Sequence, residues 1–158
     1  MYTSPSNLPE KARKELIASL NQRLGDSLDL YSQIKVAHWN IKGPLFASLH
    51  PLFDSYATMM IGYVDEIAER LVTFGGLAAG SVRQSAAASR LPEYPAEATR
   101  DLDHARLVAE RIEKWLEGMR ETRKLADERE DADTADMLTP MTTTFEKHAW
   151  FLRATLER

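Results

Sequence analysis

The sequence predicts an all-α protein, a four-helix bundle in which a long crossover between helices 2 and 3 carries a short extra helix. Apolar residues recur at three- and four-residue intervals along four long segments, which is the spacing of an amphipathic helix. After Gly75-Gly76 a connection of about twenty residues runs to Pro95, and a connection of that length allows a crossover rather than a tight turn.

The composition favours one globular domain. With 158 residues, 44% hydrophobic and 28% charged, the chain can bury one sizeable core. We therefore expect residues 1–158 to form a single domain, with residues 1–8 as a short flexible N-terminal arm. The chain has no cysteine, which excludes disulfides and thiolate metal sites. No apolar stretch approaches the ~20 residues of a membrane span, so a cytoplasmic location is expected.

The first helix is predicted to run from about Pro9 to about Lys42, with Asn7 as its N-cap. Near its end lie His38, a candidate metal ligand, and Trp39, which we expect to pack at a helix interface. The apolar stripe of this helix comprises Leu16, Ile17, Leu20, Leu24, Leu28, Tyr31 and Ile34.

The second helix is predicted over Pro44–Phe74 and holds two pairs of candidate metal ligands. His50 and Asp54 are four residues apart, as are Asp65 and Glu69, so each pair shares one helix face and can grip one cation. An imidazole with a carboxylate suits iron, zinc or manganese better than calcium or magnesium. We call the first pair, which His38 can complete, the first half-site, and the second pair the second half-site.

One helix cannot bring the two half-sites together. Asp54 and Asp65 are separated by roughly 16 Å along the axis, whereas metal–ligand bonds are about 2 Å long. The two half-sites share a midpoint between Met59 and Met60, so a two-fold axis there would set each against the other half-site of a second copy. We therefore predict a metal site between subunits, present twice per dimer. The alternative, a solvated acidic face with a structural histidine, fits either half-site alone.

The remaining segments are predicted to be scaffold. A short helix is expected within Ser81–Arg90, the third helix over about Ala96–Leu125 and the last over about Asp133–Glu157. Pro140 should kink the last helix or remove a backbone hydrogen bond, unless that helix begins near it. Neither of these two long helices contains the Glu-x-x-His pattern of metal sites built within one bundle, which favours a site between subunits.

Three further side chains invite a functional interpretation. Asp101 and His104 are spaced like a metal pair, but they lack partner ligands and are expected not to bind. His148 lies on the apolar stripe of the last helix and is predicted to be structural. Trp150 is expected to serve a contact between subunits.

The run from His38 to Gly76 resembles the signature of the Dps family, the DNA-binding proteins from starved cells, also called mini-ferritins. Pro92-Glu93-Tyr94-Pro95 and the segment Asp133–Thr139 extend the likeness over most of the chain. The resemblance implies a ferritin-like bundle, a dodecameric shell and a ferroxidase centre between two-fold-related subunits. It assigns iron ligands to His38, His50 and Asp54 of one subunit and to Asp65 and Glu69 of its mate.

The resemblance also implies an activity. Fe(II) would be oxidised to Fe(III), preferably by hydrogen peroxide, at two sites per dimer, and the ferric product stored in the shell, which protects against oxidative damage. Zinc or manganese are possible substitutes for iron. The resemblance suggests an ion-entry pore, for which we select Asp131 and Asp136, and it permits a second role for Trp39, as an electron donor near bound iron.

An alternative function is non-specific DNA binding and condensation, with nucleoid association and iron chemistry secondary. The sequence makes this doubtful. The net charge is −4, the N-terminal arm has no Lys or Arg before Lys11, and no Lys-rich tail precedes Arg158. Lys11, Arg13 and Lys14 are a weak substitute. A third possibility, a structural bundle with a zinc-filled or degenerate site, is disfavoured because all five ligands are present.

Overall fold

The computed structural model describes residues 3–157, so residues 1, 2 and 158 lie outside the described part of the chain. Helices account for all of its regular elements, and the predicted all-α bundle with a short helix in the crossover is confirmed. The elements are α1 (Glu10–Asn40), α2 (Phe46–Thr73), α3 (Val82–Ala88), α4 (Asp101–Glu128) and α5 (Ala132–Leu156).

The bundle consists of two helical hairpins. α1 packs along α2, α4 packs along α5, and α1 also contacts α4. The core is mainly apolar, and some of the polar groups buried in it are paired: the indole N–H of the fully buried Trp115 donates to Ser27 Oγ at 2.8 Å. None of the described helices is both long and apolar enough to cross a membrane.

Polar side chains of α1 hold the crossover in place. Asp26 Oδ1 accepts from the backbone N–H of Arg90 at 2.8 Å, and Asp29 Oδ2 accepts from the Ser89 hydroxyl at 2.6 Å. Farther along α1, Gln33 Nε2 donates to the carbonyl of Pro92 at 3.0 Å. These bonds satisfy backbone groups of an irregular segment, and they keep α3 against α1.

The start of α4 is tied to the turn between α1 and α2. The Asp101 carboxylate accepts from the backbone N–H of Leu45 at 2.7 Å, and the backbones of Lys42 and Arg100 form a short bridge. Gly43 has φ +137°, and a Cβ there would lie 2.5 Å from the Asp101 carboxylate, so this turn requires glycine. The turn fixes the last residues of α1 relative to the first residues of α2, and these residues carry the first half-site.

Two sequence predictions about helix starts are wrong. Asn7 does not cap α1, because Pro9 occupies the N-cap position and no side chain bonds there. α4 begins at Asp101 rather than Ala96, because Ala96 and Glu97 lie in a turn, and Thr99 and Arg100 pair with Lys42 next to the α1–α2 turn.

The flexibility expected of the arm remains a prediction. Its described part, residues 3–8, is not helical, and the Ser4 hydroxyl donates to the Thr73 carbonyl at 2.7 Å.

Pro140 lies well inside α5, which begins at Ala132, so the possibility that the helix starts near this proline is excluded. Pro140 has no N–H to donate to the carbonyl four residues earlier. Both Pro140 and that earlier residue, Asp136, are exposed, so water can satisfy the free carbonyl. α2 tolerates Pro51 in the same way, which the sequence analysis did not anticipate.

Candidate metal centre

The first half-site is assembled where the end of α1 meets the start of α2. His38 Nδ1 lies 2.7 Å from the carbonyl oxygen of His50, and His50 Nδ1 lies 2.8 Å from the carbonyl oxygen of His38. Because a carbonyl only accepts, each Nδ1 carries the proton and donates. Each Nε2 is left with its lone pair, which is the form of imidazole that binds metals.

The two imidazole rings are also held by stacking. Their centroids lie 3.8 Å apart at 20°, and Phe46 stacks on His50 at 4.7 Å. Ring orientation is therefore fixed by two hydrogen bonds and by stacking before any ion arrives. Metal-binding histidines usually have such support.

Asp54 stands beside the histidines as a third ligand. Its Oδ1 lies 4.0 Å from His38 Nε2, and its side chain is 52% exposed. Two atoms that both bind one ion at about 2 Å can be no more than about 4 Å apart, so the separation meets this limit. A small rotation of the exposed carboxylate brings it closer.

Lys35 is a partner of Asp54 that the sequence analysis missed. Its Nζ lies 2.7 Å from Asp54 Oδ1 and 5.7 Å from the ring centroid of Trp39. The hydrogen bond and charge of Lys35 lower the pKa of Asp54 below its ordinary value. The ammonium keeps the carboxylate ionised, and it also competes with any cation that binds there. The signal was its position one helical turn before His38.

The second half-site is bare. Asp65 and Glu69 are exposed, and within residues 3–157 neither carboxylate has a hydrogen bond or an ion pair. Within that part of the chain, no group of three or more His, Asp or Glu side chains is arranged to hold a metal ion, and this includes His38, His50 and Asp54, whose carboxylate is paired with Lys35. One chain therefore brings these three side chains near one another without completing a metal-binding cluster, and it leaves Asp65 and Glu69 apart from them.

The surface of α2 between the two half-sites is exposed and includes small residues. Ile61 is 41% exposed, Thr58 and Gly62 are exposed, and a Cβ at Gly62 would meet no atom within 4 Å. An exposed isoleucine beside a glycine leaves room for a second helix to approach closely. This stretch surrounds the midpoint predicted for the two-fold axis.

Trp39 and Trp150 project from the subunit. Trp39 is 67% exposed and Trp150 is 62% exposed, so most of each residue is left uncovered by its own chain. Packing of Trp39 at an interface, its alternative role as electron donor and a subunit contact at Trp150 all remain predictions.

The two proposed pore residues lie in different environments. Asp131 is buried as the N-cap of α5, where it accepts from the backbone N–H of Thr134 at 3.3 Å and pairs with Arg70 at 3.0 Å. Asp136 is exposed. Pore lining by either residue stays a prediction, and the structure gives Asp131 a separate structural role.

Asp101 and His104 do not form a pair. Asp101 bonds the α1–α2 turn, whereas the buried His104 accepts a hydrogen bond at Nδ1 from the Tyr94 hydroxyl at 2.6 Å. Burial lowers the pKa of His104. This histidine is a neutral group that anchors the crossover.

Comparisons with known proteins agree with this fold. A family model described as a ferritin-like domain matches residues 17–158. The class of the protein is therefore ferritin-like.

The chain is 35% identical over 153 residues to a DNA protection during starvation protein of Agrobacterium fabrum, covering 97% of this chain and 94% of that protein. It is 33% identical over 159 residues to the protein of the same name from Mycolicibacterium smegmatis, covering 99% and 84%. These relatives, together with the family model, show that the chain belongs to the Dps family of ferritin-like proteins.

Solved structures lead to the same family. The Dps protein of Vibrio cholerae, described as a member of a superfamily of ferritin-like diiron-carboxylate proteins, superposes with a TM-score of 0.92 at 25% identity, covering 99% of this chain and 98% of that one. The tetragonal form of Mycobacterium smegmatis Dps gives a TM-score of 0.94 at 26% identity, covering 100% and 95%. The predicted ferritin-like fold is thereby confirmed.

Proposed function

We propose that this protein is a ferroxidase and iron store. It oxidises Fe(II), preferably with hydrogen peroxide, at sites shared between two-fold-related subunits, and it keeps the ferric product as mineral inside a hollow shell. The observation that carries this proposal is the contrast between a half-site already assembled where α1 meets α2 and a second half-site, farther along α2, whose acids have no partner within the described residues. Neither is sufficient alone, and together they supply two imidazoles and three carboxylates.

This ligand set suits both oxidation states of the substrate. The Nε2 atoms of His38 and His50 are neutral donors suited to Fe(II), and the carboxylates are hard anionic donors suited to Fe(III). Two Fe(II) ions each give one electron to hydrogen peroxide, which takes up two protons and yields two molecules of water. Removing iron and peroxide together protects against oxidative damage. Zinc and manganese are expected to occupy the same ligands as substitutes.

The assembly follows from the site. Two chains related by a two-fold axis complete two iron sites, and we propose that such dimers build a homododecamer in the cytoplasm. The exposed Ile61, Trp39 and Trp150 supply apolar surface for contacts between chains. We propose that Trp39, next to His38 in the sequence, acts as an electron donor in this assembly.

The test is an anaerobic Fe(II) titration followed by addition of hydrogen peroxide, with wild type compared to an Asp65→Ala/Glu69→Ala double variant. We expect rapid peroxide-dependent oxidation in wild type and its loss in the double variant, with the oligomer intact by light scattering. Glu66→Ala is the matched control, because Glu66 is an exposed acid on the same helix that no half-site uses. Equal rates in wild type and the double variant would refute the proposed site.

Iron entry through an acidic pore is a separable part of the proposal. We propose that Asp136, which is exposed beside the α4–α5 turn, lines it together with Asp131. Asp136→Asn should slow oxidation at limiting Fe(II) without lowering the number of ions bound at equilibrium. Asp103→Asn, at an exposed acid already paired with Arg106, is the control. An unchanged oxidation rate in Asp136→Asn would remove this residue from the entry route.

DNA binding is the second candidate function, because the relatives are named for DNA protection during starvation. It would place the protein at the nucleoid. The net charge of −4 argues against strong non-specific binding, although many copies in one shell can make weak contacts effective. A gel-shift assay at low salt decides the question: no retardation at any protein concentration removes this function.

A further inference from the structure

We infer that His148 and Met59 form a second metal site, separate from the iron ligands, that binds a soft monovalent ion, Cu(I). His148 lies on α5 and Met59 on α2, so the two side chains meet in the groove between these helices. His148 Nε2 lies 3.5 Å from Met59 Sδ.

The separation of the two atoms fits a shared ion. Metal–nitrogen bonds of about 2.0 Å and metal–sulfur bonds of about 2.3 Å that span 3.5 Å enclose an angle of roughly 110° at the metal. Both side chains are partly exposed in the single chain.

The surroundings orient the imidazole and leave its polar atoms without strong partners. Tyr56 stacks on the His148 ring at 4.0 Å, and Phe145 meets it edge-on at 5.1 Å. Within residues 3–157, His148 Nδ1 and the Tyr56 hydroxyl are buried and have no hydrogen-bond partner. A bond between Nε2 and the thioether is weak, so hydrogen bonding alone does not account for an imidazole at this position.

Charge and ligand softness select the ion. A thioether favours Cu(I) among the metals available to proteins, and imidazole also suits copper. Burial lowers the pKa of His148 to about 4, so the ring is neutral near pH 7, as a ligand must be. The ammonium of Lys147 is close enough to contribute to that shift, and its repulsion disfavours divalent ions more than monovalent ones. No carboxylate takes part, in contrast to the iron ligands.

The experiment is an anaerobic titration of the full-length protein with Cu(I), with bathocuproine disulfonate as competing chelator. We expect wild type to withdraw about one Cu(I) per chain at this site, and Met59→Leu and His148→Phe each to weaken that binding at least about tenfold. Met60→Leu is the matched control, since Met60 is the neighbouring methionine and is fully buried in the core.

X-ray absorption at the copper edge of the wild-type protein provides an independent measurement, and it does not depend on how well the variants fold. A sulfur scatterer at about 2.3 Å together with a nitrogen scatterer is the expected result. Unchanged affinity in Met59→Leu, a copper shell of nitrogen and oxygen alone, or no withdrawal of Cu(I) from the chelator would each overturn the inference. Leucine closely matches methionine in volume, so Met59→Leu should retain the fold.

Discussion

The two half-sites differ in how many contacts within one chain hold their side chains in position. In the first, hydrogen bonds and stacking fix both imidazoles, and Lys35 pairs with Asp54. In the second, Asp65 and Glu69 stand exposed and, within the described part of the chain, unpaired. The histidine half is therefore organised by folding of the single chain, whereas no contact within the described residues organises the acidic half.

This difference has a physical basis. A neutral imidazole needs a fixed tautomer and orientation, and both can be provided by carbonyl groups of the same chain. A carboxylate needs no such preparation, and an intramolecular cation would only compete with the incoming ion. An exposed acid pair with no partner is therefore suitable as the half contributed to a neighbouring subunit.

The largest effect should come from deleting either half-site. His38→Ala/His50→Ala and Asp65→Ala/Glu69→Ala are each expected to lower peroxide-dependent iron oxidation at least about 100-fold, because an incomplete ligand set holds the ion too weakly. Stopped-flow absorbance of the ferric product measures the rates. A wild-type oxidation rate in either variant would show that one half-site functions without the other, and it would contradict the proposal that both are needed.

The half-sites should differ clearly in their effect on stability. His38→Ala/His50→Ala removes one hydrogen bond per ring and the stacking, and should reduce the free energy of unfolding by about 1–3 kcal/mol. Asp65→Ala and Glu69→Ala break no contact within the described chain, so each should change it by no more than about 0.5 kcal/mol. Urea denaturation of metal-free protein, under conditions that dissociate the shell, makes the measurement. Equal losses in both variants would contradict the assignment of prebuilt and bare halves.

A smaller effect is expected at Lys35. Lys35→Met removes the cation that competes at Asp54 and should tighten metal binding by a few-fold near pH 7. Calorimetric titration with Zn(II), which avoids oxidation, measures it, and Lys42→Met, at an exposed lysine outside the site, is the control. Weaker binding in Lys35→Met would show that the lysine supports the site instead of competing with the ion.

Metal binding by the Lys35→Met variant should also depend on pH differently from metal binding by wild type. In wild type, Lys35 lowers the pKa of Asp54, so the ionised, metal-binding carboxylate persists to lower pH than usual. In Lys35→Met that pKa rises, and metal binding should begin to fall at a higher pH. The advantage of the variant should therefore shrink as the solution is acidified toward the ordinary range of aspartate. If the gain in metal affinity of Lys35→Met stayed constant across this pH range, the effect of Lys35 on affinity would not act through the titration of Asp54.

Much of the fold was predictable from the sequence, because helix periodicity and glycine breaks are local signals. The four long helices followed from these signals, and the short helix in the crossover followed from its alanine content. The start of α4 at Asp101 did not, since it depends on a bond to Leu45, which is remote in sequence. Asn7 was a plausible cap, and only the observed position of Pro9 shows that another residue holds the N-cap.

Four of the five proposed ligands were selected from the i/i+4 spacing and the shared midpoint of the α2 pairs, and His38 from its position just before that helix. The partners that prepare them were not predictable. The bond between Lys35 and Asp54 joins residues of two helices, and the reciprocal bonds of His38 and His50 use backbone carbonyls whose positions depend on the α1–α2 turn. The buried role of Asp131 likewise depends on Arg70 from another helix.

Subunit complementation tests most directly whether each iron site combines half-sites of two chains. The His38→Ala/His50→Ala chain and the Asp65→Ala/Glu69→Ala chain are co-expressed with different tags, and shells containing both are purified and assayed for peroxide-dependent iron oxidation. Each mixed dimer then holds one site with both halves intact, so random pairing should restore about a quarter of the wild-type rate. If every site were built within one chain, the mixture would be as inactive as either variant alone.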